Sequence, residues 1–274
     1  MAESIFRYPG GKLKALKFIN PFWQQIDHDE YREPFVGGGS VYIHKPNVQF
    51  NWINDLDKDL YSFYKIISKV YDREELINDL IKAKINKKNH DKLYYSKPKT
   101  NYERAYRFYI LNRCSFSGIT KWNSFIGDVR YNIKRAQKLI NLVGEKLKKT
   151  KITNSDFEKV IVEKPNGKKV FLFLDPPYAE SRQIAAYNIH FEQNDHERLA
   201  KLLKQTNHPF LLTYDDCEYI RKLYKWANFY DHTWTYSVAN SKVHHNPRES
   251  GNELFISNFK LKSINKNLKL IWKE

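Results

Sequence analysis

The sequence predicts an α/β fold, a wound sheet carrying a mainly helical insertion. Three observations carry that expectation. Short apolar runs with strand character alternate with stretches whose apolar residues recur at helical spacing. The glycine triplet Gly37–Gly39 sits between a strand candidate and an apolar helix start, the strand–turn–helix unit of wound sheets. The chain between Gly39 and Asp175 is longer than a plain three-strand run with short connections needs, so a module is inserted there.

The elements follow in order. Pro9-Gly10-Gly11 marks a loop, and Leu13, Leu16 and Ile19 place a helix over Lys14 to Ile26. Tyr31 to Val36 reads as a strand, Gly37–Gly39 as a tight turn, and Ser40 as the cap of the next helix. Val48 to Ile53 alternates like a strand and ends in Asn54-Asp55-Leu56-Asp57. Residues 59–85 are expected to be helical, with Leu60, Phe63, Tyr64 and Ile67 in step; the Lys- and Asn-rich residues 86–101 read as a loop, and Tyr102 to Leu111 as a helix. Residues 112–132 are polar, basic and aromatic by turns without a clean period, and 134–149 resume a basic amphipathic helix. Lys151 to Phe157 gives a short strand ending in Ser155-Asp156. Val170 to Leu174 reads as a buried strand that Pro176 and Pro177 must end, because proline donates no N–H and fixes φ. Asp195 is expected to cap a helix over 196–206, Phe210 to Tyr214 to form another buried strand, 237–252 a mobile loop, and Leu254 to Phe259 the last strand.

With 274 residues the chain can form one large domain or a core with one insertion. A formal net charge of +16 points to a polyanionic partner, most simply nucleic acid, although a solvated basic surface would give the same count. Aromatics are many (19 Tyr, 17 Phe and 6 Trp); many must be core, and those on the basic face can stack on bases. Cys114 and Cys217 make neither a metal-ligand spacing nor a disulfide framework and read as buried free thiols, so no metal is expected. His44, His190, His196, His244 and His245 are read as surface or loop residues. There is no apolar signal segment and no stretch long enough to span a bilayer, which makes a cytoplasmic setting away from membranes the default expectation.

Chemistry concentrates at Asp175-Pro176-Pro177-Tyr178. At the carboxyl edge of a sheet these residues leave a carboxylate, carbonyls without neighbouring N–H groups, and a flat ring. That set suits a planar base with an exocyclic amino group: Asp175 and the Pro176 carbonyl accept its two N–H bonds and Tyr178 stacks on its face. A plain strand-ending turn would use the same residues. Upstream, Gly37–Gly39 lets backbone approach a ligand closely, and Asp55, at the end of the next strand, stands where an acid meets ribose hydroxyls. No GxGxxG is present, which disfavours a dinucleotide and favours an adenosine ligand without phosphates, S-adenosylmethionine being the obvious one.

Tyr8-Pro9-Gly10-Gly11-Lys12, Glu33-Pro34-Phe35-Val36-Gly37-Gly38-Gly39-Ser40-Val41, Asn54-Asp55-Leu56, Asn112-Arg113 with Gly118, Ser155-Asp156-Phe157, Asp175-Pro176-Pro177-Tyr178 and Asn252 to Phe259 occur in one chain and in one order. In these segments the chain resembles the Dam-type adenine-specific DNA methyltransferases, the D12 class, alpha group. The resemblance implies a Rossmann-like, S-adenosylmethionine-dependent methyltransferase sheet formed by residues 1–59 and 150–274, with an inserted, mainly helical target recognition domain at 60–149. It implies that Tyr8 and Lys12 border the cofactor, Phe35, Gly37 and Gly39 hold its methionine end, Asp55 its ribose, and Asp156 and Phe157 its adenine ring, with Asp175 at the junction of cofactor and target base. Arg113, Phe116, Lys121, Trp122, Asn123 and Arg130 are the candidates for touching double-stranded DNA. This chain carries Cys114-Ser115-Phe116-Ser117-Gly118 where Dam enzymes commonly have Tyr-Asn-Gly, so their recognition sequence is not implied. The expected reaction is site-specific methyl transfer to adenine N6 by base flipping and direct in-line attack, as a solitary methylase or within a restriction–modification system, with the enzyme acting as a monomer. The rival readings are an RNA adenine methyltransferase and a catalytically inactive nucleic-acid-binding protein. A cytosine amino-group enzyme would open the Pro-Pro-Tyr motif with Ser or Thr, where this chain has Asp175.

Overall fold

The computed structural model describes residues 4–8, 10–128, 131–179, 191–235, 250–262 and 269–271. A short 3-10 turn leads into α1 (Leu16–Gln24), β1 (Glu30–Glu33), α2 (Ser40–His44) and β2 (Phe50–Asn54). Five helices follow: α3 (Lys58–Ile67), α4 (Val70–Lys82), α5 (Lys87–Tyr95), α6 (Asn101–Cys114) and α7 (Ile133–Leu147). The chain then returns to the sheet through β3 (Thr150–Thr153), α8 (Phe157–Val162), β4 (Val170–Leu174), α9 (Gln193–Gln205), β5 (Phe210–Asp215), α10 (Glu218–Leu223), β6 (Asn228–Thr235), β7 (Ser250–Ser257) and β8 (Lys269–Ile271).

Among the described residues these strands form one sheet in the order β3-β2-β1-β4-β5-β7-β6-β8. The first five run parallel, and β7, β6 and β8 pair antiparallel at the far side. The chain builds outward from β1 to β3, then resumes at β4 on the other side of β1. The β1/β4 boundary is therefore the topological switch point, where wound sheets open a crevice at the carboxyl ends of their strands.

Both faces of the sheet are covered, so β4 reads as an unbroken apolar run whose residues alternate between two cores. Val170, Leu172 and Leu174 join Ile161 of α8 and Leu199 and Leu203 of α9. Phe171 and Phe173 join Phe22 of α1 in a cluster that continues into Phe63, Leu76, Phe108 and Ile140 of the inserted helices. The inserted helices thus share an apolar cluster with one face of the sheet.

Several local expectations need correction. Residues 59–85 form two helices, because Lys69 leaves helical backbone at φ −102° and ψ 130°. Residues 86–101, expected to be a loop, contain α5, which Asn86 caps by accepting the Asn89 N–H and which buries His90. Ser40 is the first residue of α2 rather than its cap; Gly39 caps it in the left-handed region without a side-chain bond. Asp195 lies inside α9, whose cap is Glu192, the two completing a reciprocal capping box. His196 is buried at 4 % exposure, where its Nδ1 meets the Tyr214 hydroxyl at 2.6 Å. The strand expected to be last, β7, begins at Ser250 and is followed by β8, and β6 and β8 extend the antiparallel side without a clear strand signal of their own. Pairing with β7, not local pattern, makes β6 a strand: Tyr230 lies opposite Phe255 and Phe229 opposite Ile256. Most of the loop expected at 237–252, with His190, His244 and His245, lies outside the described residues.

Candidate active site

The carboxyl ends of β1, β2, β3 and β4 open onto a cleft lined by the turns that follow them and by Tyr8, Gly10, Gly11 and Lys12. Asn54, the last residue of β2 and 1 % exposed, joins three of those turns. Its Nδ2 donates to the Pro34 carbonyl at 2.9 Å and the Ser155 carbonyl at 2.8 Å, while its Oδ1 accepts from Thr153 Oγ1 at 2.7 Å and Ser155 N–H at 3.0 Å. The sequence placed Asn54 in a matched segment but gave it no role.

The glycine turn packs too closely for side chains. Gly37 has φ +46°, and a Cβ on it would lie 2.9 Å from the Tyr8 ring. Gly39 has φ +68°, and a Cβ there would lie 2.6 Å from the Tyr64 hydroxyl, which donates to the Gly37 carbonyl at 2.9 Å. The Gly37 N–H donates to Asp55 Oδ2 at 2.8 Å, and the Asp57 N–H to Asp55 Oδ1 at 2.9 Å. Burial, then the Asp57 charge, push the Asp55 carboxyl from 3.8 up to about 7.

Phe35, Phe157 and Phe191 form an aromatic wall along the same cleft, with ring centroids 5.4–5.7 Å apart. Asp156 caps α8 by accepting the Glu158 N–H at 2.8 Å. Arg198 of α9 grips both its oxygens at 2.8 Å and lies over the Phe157 ring at 4.3 Å. Burial alone would raise the Asp156 carboxyl; the Arg198 hydrogen bonds, the Glu158 N–H and the Arg198 charge together more than offset it and hold the carboxyl below its ordinary value. Arg198 and Phe191 carried no sequence signal.

Asp175 leaves β4 at the mouth of the cleft. Its Oδ1 takes the Lys12 ammonium at 2.9 Å and the Thr213 hydroxyl at 2.6 Å. Among the described residues no hydrogen bond reaches its Oδ2; Pro176, which follows, is buried and does not line the cleft. Pro177 lines the cleft, and Tyr178 packs 6.0 Å from Tyr214 while donating its hydroxyl to Glu253. Glu33, at the end of β1, lines the cleft beneath; burial pushes its carboxyl up to about 8, against the pull of the Tyr31 hydroxyl and with the Asp175 charge adding to the rise. The structure therefore brings Tyr8, Lys12, Phe35, Gly37, Gly39, Asp55, Asp156, Phe157, Asp175 and Pro177 to one cleft.

The DNA-contact candidates lie on a separate feature. Asn112, buried at the end of α6, accepts the Arg7 N–H at 3.1 Å and donates to the Arg7 carbonyl at 2.8 Å and the Gly118 carbonyl at 2.9 Å. Gly118, at φ +77°, lies against the Arg7 carbonyl, 2.3 Å from where its Cβ would be. These contacts pin the irregular loop after α6 to the segment carrying Tyr8 and Lys12. On it, Phe116 is 61 % and Trp122 48 % exposed, and Lys121 is exposed. Arg113 is part-buried at the end of α6. The part-buried Asn123 donates to Asp91 of α5 at 2.7 Å. Arg130 lies outside the described residues. No group of three or more His, Cys, Asp or Glu among the described residues is arranged to hold a metal ion, and no helix among them is long and apolar enough to cross a membrane.

A family model described as D12 class N6 adenine-specific DNA methyltransferase matches residues 8–238, which spans the switch-point cleft, the inserted helices and the Asp175–Tyr178 motif. The chain is 28 % identical over 232 residues to the Type II methyltransferase M.CviBI of Paramecium bursaria Chlorella virus NC1A, covering 81 % of this chain and 86 % of that protein. It is 27 % identical over 235 residues to the Type II methyltransferase M.MjaIII of Methanocaldococcus jannaschii, covering 74 % and 80 %. It is 26 % identical over 220 residues to the DNA adenine methylase of Serratia marcescens, covering 72 % and 78 %. A wound sheet with its crevice at the β1/β4 switch point, an acid, two prolines and a tyrosine at that crevice, and a family match along most of the chain agree: the protein belongs to the D12 class of N6 adenine-specific DNA methyltransferases.

Proposed function

We propose that the cleft holds S-adenosylmethionine and that Asp175, Pro176 and Tyr178 receive an adenine flipped out of double-stranded DNA. The observation that carries this reading is the asymmetric Asp175 carboxylate, one oxygen fixed by Lys12 and Thr213, the other open, on the rim of a cleft walled by glycines, Asp55 and an aromatic trio. The cleft fits an adenosyl ligand: Asp55 offers a part-buried carboxyl to ribose hydroxyls, Phe157 and Phe35 offer aromatic rings, and Gly37 and Gly39 line it with a turn packed against Tyr8 and Tyr64. Asp156, held by Arg198, would face the adenine amino group. Tyr8 and Lys12 close the opposite side.

When bound, the cofactor supplies an electrophilic sulfonium methyl group. The residues of this chain act on the target base. The amino group of adenine is a poor nucleophile because its lone pair is delocalised into the ring. Asp175 Oδ2 and the Pro176 carbonyl accept its two N–H bonds, which favours a tetrahedral nitrogen with a localised lone pair. Tyr178 stacks on the base and returns roughly 1–3 kcal/mol toward the few kcal/mol that flipping costs. Arg113, Phe116, Lys121, Trp122, Asn123 and Arg130, within residues 60–149, serve the duplex, the cations at phosphates and the aromatics at bases. On this reading the protein acts as a monomer in the cytoplasm, alone or beside a restriction endonuclease.

The test is transfer of labelled methyl from S-adenosylmethionine to unmethylated genomic DNA, followed by mapping of modified bases. Asp175→Ala is expected to lower transfer by about 10²–10³-fold while DNA affinity stays within a few-fold. Undiminished activity in that variant would remove Asp175 from the reaction.

A further inference from the structure

We propose that Glu253 is a positioning residue for the transfer reaction, coupling Tyr178, which stacks on the target base, to Lys12, which holds Asp175. The inference rests on the roles proposed above for Asp175 and Tyr178.

Glu253 lies on β7, opposite Asp215 of β5, and is 1 % exposed. It is followed by Leu254, Phe255 and Ile256, all fully buried. An apolar side chain would suit that place in the core, and a buried carboxylate costs free energy unless it is well paired. Its pairing is one-sided. Among the described residues Oε2 has no hydrogen-bond partner, whereas Oε1 accepts the Tyr178 hydroxyl and meets the Lys12 ammonium at 3.1 Å. Burial raises the carboxyl and Lys12 pulls it back.

Lys12 is the other half of the coupling. Its ammonium is 4 % exposed as a residue, 2.9 Å from Asp175 Oδ1, 2.8 Å from the Gly10 carbonyl and 4.9 Å from the centre of the Tyr178 ring. Glu253 therefore touches Tyr178 directly and reaches Asp175 through Lys12. Through Lys12 it keeps Asp175 Oδ1 engaged, so that Oδ2 is the oxygen presented to the amino group. Through the phenol it fixes the plane of the ring that stacks on the base. Neither action requires Glu253 to reach the reacting atoms.

The test uses the full-length protein and, once the methylated site is mapped, a duplex with 2-aminopurine at the target adenine. Glu253→Met keeps the volume and removes the acceptor. It is expected to slow single-turnover methyl transfer about tenfold, the worth of one hydrogen bond to a charged group, with S-adenosylmethionine affinity within twofold of wild type. Stacking on an aromatic ring quenches 2-aminopurine, so Glu253→Met is expected to shift the bound probe to longer lifetimes, and Glu253→Gln, which can still accept the phenol, to restore much of the short component. Tyr178→Phe removes only the hydroxyl and should reproduce the Glu253→Met lifetime shift, with no further shift in the double variant. Unchanged lifetimes in Glu253→Met, or in Tyr178→Phe should the former fail to fold, would overturn the inference, as would lifetime shifts that add in the double variant. A wild-type protein that transfers no methyl group to DNA would instead fail the underlying reading.

Discussion

Acidification through neutrality is expected to weaken ribose-bearing ligands about tenfold, through Asp55. Both Asp55 oxygens already accept backbone N–H groups, from Gly37 and Asp57, and burial with the Asp57 charge brings its carboxyl to about 7. A ribose hydroxyl donates more strongly to a carboxylate than to a neutral carboxyl. If the ionised form takes the ribose, about one molecule in eleven is competent at pH 6 and about nine in ten at pH 8, a ratio near ten and ~1.4 kcal/mol. Calorimetric titration with 5′-methylthioadenosine measures it cleanly, since that ligand keeps the ribose and lacks the amino and carboxyl groups that would titrate themselves. Wild type should lose about tenfold in affinity from pH 8 to pH 6; Asp55→Asn should bind more weakly at pH 8 and show no such slope. Equal wild-type affinity at the two pH values, or a slope that survives in Asp55→Asn, would refute the assignment. The ligand-free fold responds in the opposite sense. Its carboxyl binds a proton more tightly than the 3.8 of the unfolded chain, so the stability from this group is fully present below 3.8 and lost as pH rises through about 7, up to about 4 kcal/mol. Glu33, raised to about 8, adds in the same direction, so the difference between wild type and Asp55→Asn in urea isolates Asp55.

Two other perturbations probe the turn and the DNA-facing loop. Gly39→Ala places a Cβ 2.6 Å from the Tyr64 hydroxyl in a left-handed backbone, and should destabilise the protein by about 2–4 kcal/mol in urea denaturation while weakening the cofactor; stability within 0.5 kcal/mol, the ordinary range of about ±0.5 for neutral surface changes, would show that the turn relaxes. Lys121→Ala should weaken binding to all duplexes alike and reduce the salt slope of log affinity by about 1, read by fluorescence anisotropy across a salt series; an unchanged slope would take Lys121 off the phosphates.

The residues of the candidate site were legible because their chemistry is local. Two prolines after an apolar run end a strand wherever that strand lies, and an acid before them is delivered to a sheet edge. Three glycines in a row announce a close approach, and the structure names what approaches: the Tyr8 ring and the Tyr64 hydroxyl. Much else depended on partners distant in the chain. Asn54 becomes the junction of three turns only because β1 and β3 flank β2, and Arg198 reaches Asp156 only because α9 packs beside α8. β6 is a strand because β7 offers it a register, and α5 is a helix because Asn86 caps it and His90 finds a buried place beside Phe125. Glu253 shows the division most clearly. Its sequence neighbourhood marks a strand, whereas its acid makes sense only once Lys12, from the other end of the chain, and Tyr178 are brought to the same oxygen. By itself the sequence determined the fold class, the place of the Asp175 carboxylate at a strand end and the glycine turn, since periodicity, proline and glycine act through the backbone within a few residues. Tertiary structure alone decided which oxygen of Asp175 is held by Lys12 and Thr213, what holds Tyr178 and how the inserted helices join the core, because hydrogen bonds and burial depend on which distant segments share the same space.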